Sequence, residues 1–262
     1  MNRLAASIAA VLSIVLLVGC GGTDDAPSSG GPAKTSTSSS GDLTKVDFID
    51  RMAAAIKGAR SAHATISIDS PGQSLTGEGD MIFGTTADQS AMDFDYDAGE
   101  VKFQVRVVDS LIYVNYGSGT DNKFFTIDPK DADNPLAKEF SGLLEQMDPA
   151  TSYAPLKKAI ATVRQRSGAP RIGGVRTIPY EVVVDTDKIA DLPALEDVPK
   201  DQLPETFTYV FYMDKDDLVR KMSFELEGTV MVMKYSDFGK MPLIKAPSAS
   251  EITTTLPFNS SI

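Results

Sequence analysis

Long stretches of the chain alternate between apolar and polar residues with a period of two. Met92, Phe94 and Tyr96 are interleaved with Asp93, Asp95 and Asp97, and Val101, Phe103, Val105 and Val107 with Lys102, Gln104 and Arg106. That period puts all apolar side chains on one face of a strand and all polar ones on the other, the signature of half-buried antiparallel strands. Asp109 and Ser110 read as a hairpin turn into a strand over 111–116, and another strand is expected over 123–127. The period of two sets in from Thr65 and resumes at about 171–185, 206–213, 218–227 and 229–236, with an acidic turn from Asp214 to Asp217.

Two regions depart from this pattern. Thr44 and Asp47 have the spacing of a capping box, and Leu43 and Phe48 that of a hydrophobic staple. Val46, Ile49, Met52, Ala53 and Ile56 then recur at three and four, a stripe that must cover something. Two short helices are expected near 135–147 and 152–166, separated by Pro149. The fold class is therefore α+β: a large antiparallel sheet with an N-terminal helix and a central helical insertion.

The amino terminus has a different character. Arg3 precedes an apolar run from Leu4 to Val18, and Leu17, Val18 and Gly19 lead into Cys20, the single cysteine. An apolar run of about 15 residues is short for a membrane span and fits a signal-peptide core. One thiol forms no internal disulfide, so its place at the cleavage junction marks a bacterial lipobox. Residues 1–19 are read as a signal peptide and Cys20 as the acylated first residue of a protein on the extracytoplasmic face of the cell membrane. Residues 21–42 are almost entirely Gly, Ser, Thr, Pro, Ala and Asp, a composition that cannot bury enough to order itself. Together, 20–42 form an anchored tether, whose coil spans roughly 25 Å. Residues 43–262 are expected to form one domain.

Lys and Arg number 25 against 36 Asp and Glu, a net charge of −11, which argues against a nucleic-acid partner. An acidic domain gains no attraction to anionic lipid, so membrane attachment falls to the acyl anchor. Lys157, Lys158, Arg164, Arg166, Arg171 and Arg176 are a local exception, read as a solvated helix face or a basic patch. Catalytic chemistry has few candidates. His63 is the sole histidine and is placed at the end of the first helix, as a surface or capping residue. A serine hydrolase would need it as base, and Gly117, Ser118 and Gly119 lack the spacing of a nucleophile elbow. Asp93, Asp95, Asp97 and Gly99 lack the glycine and glutamate of a calcium loop and read as the solvated face of a strand. No enzyme activity, metal or cofactor is expected.

Beyond pattern, the second half carries sequence marks of a known group. Gly173, Gly174, Val175, Arg176 and Thr177, then Tyr180 through Asp185, form one; the acidic turn within Met213–Met222, followed by Leu218, Val219, Arg220 and Lys221, forms another. Tyr235, Ser236, Asp237, Phe238 and Gly239, followed by Ile244 to Ser248, form a third. With the lipobox, the first helix and the hairpin over Val107–Val114, these resemble actinobacterial lipoproteins of the LppX/LprAFG type. The chain departs from that pattern at Ile178, where a second threonine is typical, and at Asp217, where glycine is often found.

The resemblance implies a curved, half-open β-barrel of the LolA/LolB kind, closed by the helices over an apolar cavity for acylated lipids or glycolipids. Candidate lining residues are Phe103, Val105, Tyr113, Leu143, Leu156, Ile160, Val182, Val184, Phe207, Tyr209, Phe211, Met222, Phe224, Leu226, Met231 and Met233. Methionine and phenylalanine suit adaptable apolar sites, yet the same alternation builds a solid core, and periodicity does not separate the two. The expected partners are an acylated lipid, the membrane through the anchor, and an envelope transporter or acceptor protein, the chain itself being a monomer. The alternative function is an envelope sensor or protein-interaction module with a packed core. A two-lobed solute receptor is disfavoured by the lack of strand and helix alternation.

Overall fold

A computed structural model describes residues 42–131, 137, 154–189, 203–226 and 228–254. The leading stripe forms α1, Phe48–Ala59, which buries Phe48, Ile49, Met52, Ala53 and Ile56. It starts one turn later than the capping box implies. The Thr44 amide and hydroxyl both donate to Asp47 Oδ1, at 2.7 and 2.6 Å, which secures the turn before the helix. Those bonds hold the Asp47 carboxyl below the usual carboxylate range. Leu43 and Phe48 are both buried, as the staple spacing requires, whereas Val46 falls in the preceding turn and is 80% exposed rather than part of the stripe.

Strands follow in quick succession: β1 Ser61–Ser70, β2 Gln73–Ile82, β3 Ala91–Asp97, β4 Lys102–Val108, β5 Leu111–Asn115 and β6 Phe124–Ile127. Asp109 and Ser110 both have positive φ, the backbone of a tight two-residue hairpin between β4 and β5. After the short helix α2, Ala154–Ala159, come β7 Ile160–Gln165, the small hairpin β8 Arg171–Ile172 and β9 Val175–Arg176, and β10 Ile178–Asp185. The chain then adds β11 Thr206–Met213, β12 Val219–Leu226, β13 Thr229–Ser236 and β14 Ile252–Thr253.

Twelve of these strands make one sheet in the order β14-β6-β5-β4-β3-β2-β1-β13-β12-β11-β10-β7. Two antiparallel meanders meet at β1 and β13, whose ladder runs from His63 opposite Ser236 to Asp69 opposite Val230. Among the described residues only the β14–β6 pair is parallel. The sheet curves around α1 without closing into a barrel, since β7 and β14 do not pair. Its inner face carries one continuous apolar cluster, from Ala64, Ile66 and Ile68 on β1 to Met92, Phe94 and Tyr96 on β3 and Phe211 and Met213 on β11. α1 is seated on that face through Phe48, whose ring lies 5.2 Å from Phe211 and 6.2 Å from Tyr180.

Several expectations are corrected. The helix expected over 152–166 ends at Ala159, and Ile160–Gln165 instead pairs with β10 as β7. Thr162 and Val163 favour a strand, and the open edge of β10 supplies the partner. The helix expected at 135–147 lies outside the described residues apart from Ala137, which is helical and buried. The strand expected over 171–185 is broken by Gly173 and Gly174, both at positive φ, into a hairpin and β10. β1 begins at Ser61 rather than Thr65, so His63 belongs to a strand and not to a helix end; its Nδ1 lies 2.9 Å from Asp80 Oδ1 on the neighbouring β2. The basic residues do not share a helix face: Lys157 and Lys158 lie on α2, Arg164 on β7, Arg166 just beyond it, and Arg171 opposite Arg176 on the β8–β9 hairpin.

Candidate functional site

A crevice opens on the inner face where α1 and α2 approach β10, β11 and β12. Phe48 and Ile49 of α1, Leu156 of α2, Val182 and Val184 of β10, Tyr209 and Phe211 of β11 and Met222 of β12 line it. None of these side chains is charged, so the crevice offers dispersion and exclusion of water, with the Tyr209 phenol as its polar group. Burial pushes the Tyr209 phenol up to about 12, so it stays neutral and able to donate. The free space enclosed is about 10 Å³, room for one water molecule. That is far below the roughly 300–1,000 Å³ of a small-molecule site.

The elements around the crevice are fixed by ion pairs at its rim. The Arg51 guanidinium of α1 donates through Nε and Nη2 to both carboxylate oxygens of Asp217, each at 2.9 Å. Asp217 lies in the β11–β12 turn at φ 59. The same turn is braced by Asp214, whose Oδ1 accepts from the amides of Asp216 and Leu218 and whose Oδ2 accepts from Arg220 at 2.6 Å. Arg220 in turn lies over the Phe238 ring at 4.8 Å. Lys157 of α2 reaches Asp50 of α1 at 2.7 Å, tying the two helices together.

Of the residues singled out from the sequence, Leu156, Val182, Val184, Tyr209, Phe211 and Met222 meet at the crevice. Phe103, Val105, Ile160, Phe207, Met231 and Met233 are buried in the same cluster away from it, and Phe224 and Leu226 pack half-buried on its margin. Tyr113 is elsewhere. Ile112 and Val114 on either side of it belong to the inner cluster, so Tyr113 faces outward, paired across the strands with Arg106. Leu143 and Cys20 lie outside the described residues. Phe48 and Ile49 line the crevice without having been singled out for it, although the apolar stripe of the first helix had to cover something and this is what it covers.

The acidic alternation on β3 is the outer surface of a strand. Asp93 accepts from Gln104 at 2.8 Å and pairs with Arg106 at 2.7 Å, and Lys102 pairs with Asp97 at 2.8 Å. Among the described residues no group of three or more His, Cys, Asp or Glu side chains is placed to hold a metal ion. No described helix is long and apolar enough to cross a membrane.

At the level of sequence, no protein-family model and no curated protein matches the chain. Structure reaches further. The lipoprotein LppX of Mycobacterium tuberculosis superposes with a TM-score of 0.54 at 12% identity, over 77% of this chain and 98% of that one. LprF from Mycobacterium bovis gives 0.54 at 12% identity, over 78% of this chain and 97% of that one. The chain shares their fold. At that identity the likeness is one of architecture: a curved sheet, incompletely closed, around a leading helix. It extends over nearly the whole length of LppX and LprF.

Proposed function

We propose that this chain is a lipid-anchored protein of the extracytoplasmic face of the cell membrane that binds acylated lipid between its sheet and helices. On this reading residues 1–19 are removed, Cys20 is acylated, 20–42 form the tether, and the folded domain begins at 43. The observation that carries it is the crevice, an uncharged furrow of Phe, Met, Val, Leu, Ile and Tyr at the seam between two helices and a sheet. Burial of each methylene is worth about 0.8 kcal/mol, so such a furrow holds an acyl chain without specific polar contacts. The enclosed volume requires the seam to widen when lipid enters. Widening falls to α1, which meets the sheet through apolar side chains and the Arg51–Asp217 ion pair rather than through a backbone ladder. The fold shared with LppX, described as a lipoprotein, supports the same reading.

A second reading has one observation in its favour. With about 10 Å³ enclosed, the crevice is close to filled, as in an interaction module whose core only supports an outer surface. The two readings part on one measurement. The chain from Gly21 onward, exported behind a cleaved signal peptide so that it lacks the anchor and keeps everything the structure describes, is purified from the native envelope without detergent, and its organic extract is analysed by mass spectrometry. Stoichiometric acylated lipid is the expected result; a protein that is repeatedly empty and takes up no added lipid selects the interaction module.

A further inference from the structure

Tyr96 lies on the inner face of β3, 3% exposed, and its phenolic oxygen is buried with no hydrogen-bond partner among the described residues. A buried hydroxyl left unmet costs about 1–3 kcal/mol, which a phenylalanine in the same place would avoid. The ring has no freedom to find a partner by turning. It is stacked between Phe94 at 5.7 Å and Phe103 at 5.0 Å. Beneath it lies Gly77 of β2, where a Cβ would stand 2.6 Å from the ring. The neighbouring inward position, Gly79, is equally closed: a Cβ there would stand 2.7 Å from Phe94 Cα. β2 thus leaves two consecutive inward positions bare to seat Phe94 and Tyr96, and Tyr96 carries an oxygen that no described residue meets.

Strand register connects this oxygen to the crevice. Tyr96 is opposite Gly77, Gly77 opposite Ile66, Ile66 opposite Met233, Met233 opposite Met222, and Met222 opposite Phe211. Met222 and Phe211 line the crevice. The line from Tyr96 to Met222 crosses four strand spacings of about 4.8 Å, roughly 19 Å, close to the ~15 Å depth of one bilayer leaflet's hydrocarbon. It runs over glycine, isoleucine and methionine, side chains that give way without exposing charge. Gly77, Ile66, Met233, Met222 and Phe211, the residues along the line, carry no charge that would hold a phosphate or a carboxylate. Burial also raises the Tyr96 phenol well above its ordinary value, which keeps its proton in place for donation.

We propose that the Tyr96 hydroxyl is an interior hydrogen-bond donor for a neutral oxygen on the bound lipid, an ester carbonyl or hydroxyl at the end of the methionine row opposite the crevice. The inference rests on the lipid-binding reading and narrows its cargo to acylated lipids whose apolar portion carries such an oxygen. The other unmatched buried hydroxyls, Ser61 and Thr186, open β1 and follow β10, and they are not part of this row.

The test compares methyl palmitate with octadecane, delivered from cyclodextrin to the chain from Gly21 onward and to its Y96F variant, by displacement of a fluorescent fatty acyl probe. Wild type should prefer the ester by about three- to tenfold, the range of one hydrogen bond. Y96F should lose that preference while keeping its affinity for octadecane, and without ligand it should resist urea at least as well as wild type, since the unmet hydroxyl is gone. A variant that keeps the ester preference, or that weakens both ligands alike, overturns the role of Tyr96. So does a variant that is less stable in urea with ligand preference unchanged, which would mark a hydroxyl satisfied by a buried water. Wild type is an independent arm that does not depend on the variant folding: equal affinity for ester and hydrocarbon removes the donor and leaves lipid binding standing. Failure to bind either ligand removes both.

Discussion

Asp95 concentrates the electrostatic conflict of the outer sheet face. It stands directly opposite Glu78 on β2, two residues from Asp93 on its own strand. Partial burial first, then Asp93 and Glu78, raise its carboxyl above the ordinary aspartate value, against a smaller opposing pull from Arg106. An acid raised in the folded state destabilises the fold wherever it is ionised, and that penalty fades as pH falls through the folded value and is gone below the unfolded value of about 3.9. Asp95→Asn should therefore stabilise the protein at neutral pH by about 0.2–1 kcal/mol, the scale of one cross-strand charge pair. The gain should vanish in acid, and urea midpoints at pH 7 and pH 3.5 check both halves; a gain that persists at pH 3.5 would assign the effect to something other than charge. The alternation that makes Asp95 an outward residue is plain in the sequence. Its opposition to Glu78 is not, because β2 presents glycine at Gly77 and Gly79 where an inner face would show apolar residues, so the period of two is silent there.

Among the elements, α1 depends on a residue outside its own sequence. Its Arg51 is held by Asp217, which sits at the positive φ of the β11–β12 turn. The hydrogen bonds to Asp217 are the chief reason the Arg51 guanidinium is held above its usual range. Asp217→Asn keeps a residue that tolerates the left-handed turn and removes the charge. Charge-assisted bonds are worth about 1.5–3 kcal/mol, so amide hydrogen exchange in α1 should quicken by about tenfold or more. Amides in the β1–β13 ladder should keep their protection; a uniform change across helix and sheet would mean that α1 does not open separately. α1 itself is legible from its stripe, and so are the strands from Ala91 to Ile127 and from Thr206 to Ser236. α2 is legible only as the start of a longer helix, and β7 is not legible: Leu156, Ala159 and Ile160 repeat at helical spacing, and only the unpaired edge of β10 decides that the segment turns to strand at Ile160. The crevice inherits this limit. Its sheet wall follows from alternation, while its helical wall depends on which residues α1 and α2 lay over that sheet, a tertiary choice that periodicity does not encode.

For the molecule as a whole, an unclosed sheet leaves two edges, and each is managed differently. β7 carries Arg164 and Gln165, with Arg166 just past its end, exposed polar side chains that discourage pairing with another chain. The opposite edge, β6, has the sequence Phe124, Phe125, Thr126, Ile127 and would be a template for association if left bare. The chain covers it with its own carboxy-terminal segment. Gly239 donates to the Ser61 carbonyl at 3.0 Å, the Lys245 carbonyl accepts from Arg106 at 3.1 Å, and Pro247 is buried. Ser248 and Glu251 form a capping box, and Ile252 and Thr253 then add as β14 beside Phe124 and Phe125. The ending singled out in the sequence, from Tyr235 to Ser248, begins with Tyr235 buried on β13 and Phe238 packed against the core, and continues as this strap. A chain ending at Pro247 should keep the strap and lose the cover on β6. Its far-ultraviolet circular dichroism should stay near that of the full chain, while its mass by light scattering should rise with concentration as uncovered edges pair. A truncated chain that remains monomeric at every concentration would place the protection of that edge in β6 itself, in the Arg106 guanidinium stacked 5.0 Å over Phe124, rather than in β14.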